Sequence, residues 1–228
     1  MMLRLSERIA DYLWFVRNLF GVRRPRRPAD VRATIVVLPG VYEDPSYFHR
    51  IFSPLEEAGY DVVTLPLGRM TKPVPDLARQ VLAELERLRR AAPTTPIVLL
   101  AHSKGSLVGR AVLAALPPNV YGLIAVAAPW NGSRLARLFG RWEAVSAMVP
   151  GGPATWTPWP HERESIIRER IYSLAPMWDP HIPEGSVLEG ATNIPLALSG
   201  HFRAIGDPAT LAVILACIDE LLERGPLR

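Results

Sequence analysis

Residues 97–109 read IVLLAHSKGSLVG. Five apolar residues, Ile97 to Ala101, run into His102-Ser103-Lys104-Gly105, and a stretch of small, helix-compatible residues follows. The pattern predicts a buried strand, a one-residue corner carrying Ser103, and a helix folded back on the strand. Ala101 and Gly105, two before and two after the serine, are small because the two backbones approach closely at such a corner. The corner lifts the serine Oγ out of the packing and aims the helix N-terminus at whatever binds there. The plainer reading is a serine that caps a helix after a strand. The rest of the chain decides between the two.

Working outward, apolar strands alternate with amphipathic helices. Upstream lie TIVVL at residues 34–38, a helix over 46–58 ended by Gly59, a strand over 60–65 and a helix over 75–92. Downstream, the corner's helix runs to about Leu116. VYGLIAVA at 120–127 is another buried strand, with two more at 170–174 and 194–198. Asp207-Pro208 opens the last helix, the Asp as N-cap and the Pro at the first turn. Strands apolar throughout, separated by helices, imply a mostly parallel sheet covered on both faces. Ligands bind such sheets at the carboxyl ends of the strands. Residues 39–42, 102–104, 128–133, 175–181 and 200–201 follow strands and are therefore the places to look. The irregular stretch 134–168 holds Trp142, Met148, Trp156 and Trp159 among several prolines; it either covers an apolar pocket or belongs to the core.

The chain has 228 residues, and 49% of them are apolar, which suits one folded domain with a sizeable core. The net charge of +4 is unevenly placed. Residues 1–32 carry eight arginines against three acids, a net of +5, and the remainder sums to −1. The body from residue 33 to 228 is thus nearly neutral and has no nucleic-acid surface. Cys217, the one cysteine, sits on the apolar side of a helical pattern and reads as a buried structural thiol.

The N-terminal arm, 1–32, reads as an amphipathic helix and a basic, Pro-broken linker. Leu5, Ile9, Tyr12, Leu13, Val16 and Phe20 recur at helical spacing, and Gly21 ends the helix. Its apolar run is too short to span a bilayer and lacks a signal-peptide cleavage pattern, so a cytoplasmic protein is expected. Such a helix with a basic tail suits peripheral contact with an anionic membrane; the alternative is packing on its own domain or on a second copy. On the membrane reading, the arm is expected to be dispensable for chemistry.

A serine nucleophile needs a base and a group that orients the base. Of five histidines, His201 follows the last strand directly, at the sheet edge to which the corner points. His49 lies in a helix, His102 leaves the corner in another direction, His161 is in the irregular stretch and His181 in a Pro-flanked loop. The acid should follow the preceding strand, as Asp179 does; Asp207 is the rival but has an N-cap explanation, and Glu184 is third. The developing oxyanion needs preorganised N–H donors. Lys104 N–H, at the helix start, is one. After the first strand Pro39 has no N–H and Gly40 permits close approach, so Val41 is the second donor and Tyr42 its rival. Tyr42, Trp130 and Trp178, each after a strand, are candidate substrate contacts and favour an apolar acyl chain. Neither a metal-ligand cluster nor a dinucleotide fingerprint is present, so no cofactor and no metal is expected.

These residues resemble the α/β-hydrolases, and among them small bacterial lipases and carboxylesterases. The resemblance runs from about Thr34 to Glu223. Leu38-Pro39-Gly40 is similar to the oxyanion loop and Ala101-His102-Ser103-Lys104-Gly105 to the nucleophile elbow. Ala128-Pro129-Trp130-Asn131-Gly132-Ser133 resembles the T-P-H-x-G-[ST] loop of lipases, residues 172–183 the acid loop, and Gly200-His201-Phe202 the catalytic histidine segment. Pro39 departs from the family's usual His, and Ala101 replaces the first Gly of the pentad. The resemblance implies a minimal α/β-hydrolase fold of about six strands and the order Ser–Asp–His for a triad of Ser103, Asp179 and His201. It implies cleavage of a small ester through an acyl-enzyme. An acyltransferase or thioesterase would use the same triad, and a non-catalytic binding protein on this fold is the alternative of another class.

Overall fold

In the computed structural model the described residues are 2–18, 24–139, 143–151 and 161–226. The six apolar segments pair into one sheet: β1 (Ala33–Leu38), β2 (Tyr60–Thr64), β3 (Ile97–His102), β4 (Val120–Val126), β5 (Ile171–Trp178) and β6 (Thr192–Ser199). Their order is β2-β1-β3-β4-β5-β6, and every pair is parallel. The predicted segments all became strands. The last two are longer than their apolar cores, since backbone pairing between β5 and β6 continues into the polar loops as far as Trp178 and Ser199. β6 pairs only with β5 and is half-exposed, which is why it tolerates Pro195.

Alternate strand residues feed two cores. From β1, Val36 and Leu38 enter one, Ala33, Ile35 and Val37 the other. The first core is covered by α3 (Val74–Ala91), through Leu77, Val81 and Leu85, and by α4 (Lys104–Leu113), through Leu107, Val108 and Val112. The second lies under α2 (His49–Glu57), through Ile51, Phe52 and Leu55, and α7 (Pro208–Arg224), through Ile214, Ile218 and Leu221. Each such side chain is worth about 1.5–3 kcal/mol when withdrawn from water. Cys217 is buried on α7, and burial pushes its thiol up to about 12, as a structural thiol requires. Asp207 caps α7 as expected: Oδ2 accepts from the N–H groups of Ala209 (3.0 Å) and Thr210 (3.1 Å).

The irregular stretch contains two short helices, α5 (Glu143–Ser146) and α6 (His161–Arg168). Its described parts are built into the first core through Ala136, Ala147, Met148 and Ile167. Glu164 of α6 is buried against Arg110 of α4 and also holds Arg168. Trp142, Trp156 and Trp159 lie outside the described residues, as does Gly21.

Helix α1 (Met2–Asn18) forms where the arm's periodicity placed a helix, with its aliphatic stripe facing away from the domain. Leu5, Ile9, Tyr12, Leu13 and Val16 are between 41% and 61% exposed. The face against the domain is Asp11, Trp14, Phe15 and Asn18, with Asp11 and Asn18 fully buried. Two aromatic rings explain the choice. Phe15 stacks on Phe202 with ring centroids 4.3 Å apart, and Trp14 meets Tyr47 edge-on at 5.2 Å. Rings at positions 14 and 15 bring more contact area and geometric fit than the aliphatic stripe offers.

Candidate active site

Ser103 occupies a one-residue corner between β3 and α4 with φ 50° and ψ −124°. A positive φ costs a non-glycine residue about 1–3 kcal/mol, so it survives only where its surroundings enforce it. Two contacts do so: Ser103 N–H donates to Val126 O at 3.0 Å, and its carbonyl accepts from Ser106 N–H at 3.0 Å. Gly105 is obligatory. A Cβ there would stand 2.1 Å from Leu38 O and 2.6 Å from Pro39 O, so α4 could not lie against the oxyanion loop.

His201 projects from the loop after β6. Its Nδ1 lies 2.7 Å from Asp179 Oδ2 and its Nε2 3.0 Å from Ser103 Oγ. A carboxylate only accepts, so Nδ1–H donates to Asp179 and Nε2 is left to accept the serine proton. The other oxygen of Asp179, Oδ1, accepts from the N–H groups of His181 (2.7 Å) and Ile182 (3.0 Å). Burial works against the Asp179 charge, but the neighbouring His201 and these three hydrogen bonds prevail and hold the carboxyl below its usual range. Burial likewise opposes charge on His201, yet Asp179, with smaller contributions from Glu43 and Asp11, raises it above the ordinary imidazole value. His181, 5.1 Å from the His201 ring, is pushed down to about 4 by burial and by His201, and so stays neutral beside it.

Two backbone amides are the candidate oxyanion donors. Lys104 begins α4, so its N–H lies at the N-terminal end of that helix. Of the two donors expected after β1, Tyr42 spends its N–H on Arg69 O at 2.8 Å, which leaves Val41 as the candidate. The Lys104 ammonium points away from the serine. It is fully buried and donates to the carbonyls of Met70 (2.8 Å), Lys72 (2.9 Å) and Ala144 (2.7 Å), tying the loop before α3 and helix α5 to the elbow.

Other candidates fall elsewhere. Glu184 accepts from Arg134 N–H at 3.0 Å and joins the loop after β4 to the acid loop. Ser133 Oγ makes a parallel link to His181 O at 2.6 Å. Trp130, expected as a substrate contact, is buried in the first core and donates its indole N–H to Ser173 Oγ at 2.8 Å, so it braces β5. Tyr42 is 44% exposed beside the oxyanion loop, and Trp178 is half-buried at the end of β5. His49 begins α2, and the side chain of His161 lies outside the described residues.

Three residues that were not singled out hold the site together. Glu43 and His102 are both buried, with His102 Nδ1 2.8 Å from Glu43 Oε1 and 2.9 Å from Oε2. Glu43 Oε2 also accepts from Gly40 N–H at 2.6 Å, and His102 Nε2–H donates to the carbonyl of His201 at 3.0 Å. Asp11 of α1 takes the other side of that loop: Oδ2 accepts from His201 N–H at 2.9 Å, Oδ1 from Phe202 N–H (2.9 Å) and Arg203 N–H (3.0 Å). Gly200, at φ 120°, leaves room for it, since a Cβ there would stand 2.6 Å from Asp11 Oδ1. The N-terminal helix therefore supports the loop that carries His201. The available signal was the spacing of Asp11, Trp14, Phe15 and Asn18, a second helical face that competes with the aliphatic one.

The parallel sheet thus carries a strained serine corner, an imidazole and a carboxylate together at its carboxyl edge. The chain belongs to the alpha/beta hydrolase fold family, whose model matches residues 33–147. A triacylglycerol lipase of Pseudomonas fragi is 32% identical over 90 residues, a stretch covering 40% of this chain and 30% of the lipase. The fold is similar to that of a Bacillus licheniformis lipase in its mature form, with a TM-score of 0.67 at 17% identity over 85% of this chain and 95% of that one. A Bacillus coagulans carboxyl esterase gives 0.60 at 16% over 85% and 92%. A thioesterase of the prodiginine pathway of Streptomyces coelicolor gives 0.57 at 18% over 87% and 94%.

Proposed function

We propose that the protein hydrolyses carboxylic esters through an acyl-enzyme formed on Ser103. The observation that carries this reading is the unbroken chain Asp179 Oδ2–His201 Nδ1 (2.7 Å) and His201 Nε2–Ser103 Oγ (3.0 Å), ending on a serine held at φ 50°. Ser103 Oγ attacks the carbonyl carbon as its proton passes to His201 Nε2. The tetrahedral oxyanion lies against the N–H groups of Val41 and Lys104. Collapse expels the alcohol, which takes the proton from His201. Water, deprotonated by the same nitrogen, then releases the acid and restores Ser103. Asp179 fixes the imidazole tautomer and stabilises the imidazolium.

Tyr42 beside the oxyanion loop and Trp178 at the end of β5 are the proposed substrate contacts. Together with exposed Met177 they favour an apolar acyl chain over a charged one. The likeness to a thioesterase supports a second reading in which the same acyl-enzyme forms from a thioester. A fluorophosphonate probe should label the protein, and Ser103→Ala should abolish labelling while the protein stays folded. Persistent labelling of that variant would end the assignment. Turnover of matched oxygen esters and thioesters of graded chain length separates the two readings.

A further inference from the structure

We infer that the outward face of α1 is a docking surface for an anionic lipid bilayer, seated beside the loop that carries His201. The first ground is the helix's inversion. Leu5, Ile9, Tyr12, Leu13 and Val16 make one stripe along α1, and every one of them is at least 41% exposed. A helix ordinarily turns such a stripe inward, because water is its least favourable environment. Here the orientation is fixed from the other side by the Asp11 carboxylate on the amides of residues 201–203 and by the Trp14 and Phe15 rings. The stripe therefore cannot roll into the core without breaking the support of His201.

The second ground is charge. Arg8 and Arg17 are exposed on the same helix, and Arg24, Arg26 and Arg27 are exposed just after it. On the helix itself the acids do not offset the arginines, since Asp11 is buried and Glu7 is paired with Arg203; in the linker Asp30 is exposed and Arg27 is paired with Asp61, so the charge rests on Arg8, Arg17, Arg24 and Arg26. An apolar stripe bordered by arginines is complementary to acyl chains beneath anionic headgroups. The same charge disfavours a second copy as the occupant, because a two-fold contact through α1 brings two arms of net +5 together.

The third ground is position. The Tyr12 ring, within the stripe, meets His181 edge-on at 5.5 Å, and His181 lies 5.1 Å from His201. A bilayer seated on the stripe thus meets the protein beside the candidate base. The inference uses the proposed hydrolase reading only for this last step; binding itself does not depend on it.

The test is sedimentation of the full chain with vesicles of phosphatidylcholine, with and without phosphatidylglycerol, at low and high salt. Binding is expected to the anionic vesicles and to weaken with salt. Ile9→Gln/Leu13→Gln should weaken it by about tenfold for each apolar side chain lost. Arg8→Gln/Arg17→Gln should weaken it by about fivefold per charge. Hydrolysis of a soluble short-chain ester by both variants should match the parent, and Ser103→Ala should bind vesicles like the parent, so failure of docking and failure of the hydrolase reading are separable. Absence of the parent from anionic vesicles would overturn the inference. So would unchanged binding by Ile9→Gln/Leu13→Gln, or a parent dimer in solution that this variant dissolves.

Discussion

At the scale of single residues Asp179 and Asp207, the two candidates for the acid, differ by what their oxygens do. Asp179 divides its carboxylate between the imidazole and two amides of its own turn, whereas Asp207 accepts only from the first turn of α7. Asp179→Asn presents an amide to Nδ1 and favours the wrong tautomer, so turnover should fall on the order of 10⁴-fold with little change in Tm. Asp207→Asn should keep most activity, because Asn caps a helix nearly as well. Loss of activity in Asp207→Asn alone would reverse the assignment. The same environment sets the pH dependence. His201 must be neutral to accept a proton, and it is raised above 6.5, chiefly by Asp179 against its burial. The acid limb of kcat/KM for an ester should therefore lie above about 6.5. The sign for stability is opposite. The raised His201 contributes fully below about 6.5, and that contribution is lost as pH rises through its folded value. The depressed Asp179 contributes above about 3.9 and loses this as pH falls. A profile whose acid limb lies below 6.5 would contradict the pairing.

At the scale of elements the N-terminal helix carries the main difference between sequence and structure. The corner at Ser103, the cap at Asp207 and the strand starts were legible because each rests on local backbone chemistry: a close approach, a first-turn amide, an apolar run. The orientation of α1 was not, because it depends on Tyr47 and Phe202, which lie far along the chain and rank the aromatic face above the aliphatic one. The pairing of Glu43 with His102 was not legible either, since it exists only once β1 and β3 lie side by side. Asp11 gives the test at this scale. Asp11→Asn keeps the shape but turns an N–H₂ toward amides that need an acceptor, at a cost of about 2–4 kcal/mol. It also removes a negative charge that helps raise His201, so the acid limb of kcat/KM should move to lower pH. A purely structural role would lower Tm and leave the limb in place. Deleting residues 1–30, by the same reasoning, should reduce hydrolysis of a soluble short ester and not leave it unchanged.

At the scale of the whole molecule the parallel sheet brings together side chains from the ends of strands that are distant in sequence. Glu43 follows β1, His102 ends β3, and His201 follows β6 at the far edge, yet one hydrogen-bonded path joins Gly40 N–H to the His201 carbonyl. The path connects the loop that carries the candidate oxyanion donor Val41 with the loop that carries the base. Glu43 and His102 are both buried, so removing one member leaves polar atoms of the other without their partner, at about 1–3 kcal/mol. Glu43→Gln is the milder probe. Gln keeps one oxygen, which can serve Gly40 or His102 but not both with full charge. Because the oxyanion forms only after attack, misplacing Val41 should lower kcat by about 10- to 100-fold and leave KM nearly unchanged. Removing the Glu43 charge should also lower the acid limb, as Glu43 contributes to raising His201. If Glu43→Gln raised KM at constant kcat, the residue would act on ground-state binding, and the path from β1 to β6 would be a brace for the fold without a part in positioning the oxyanion loop.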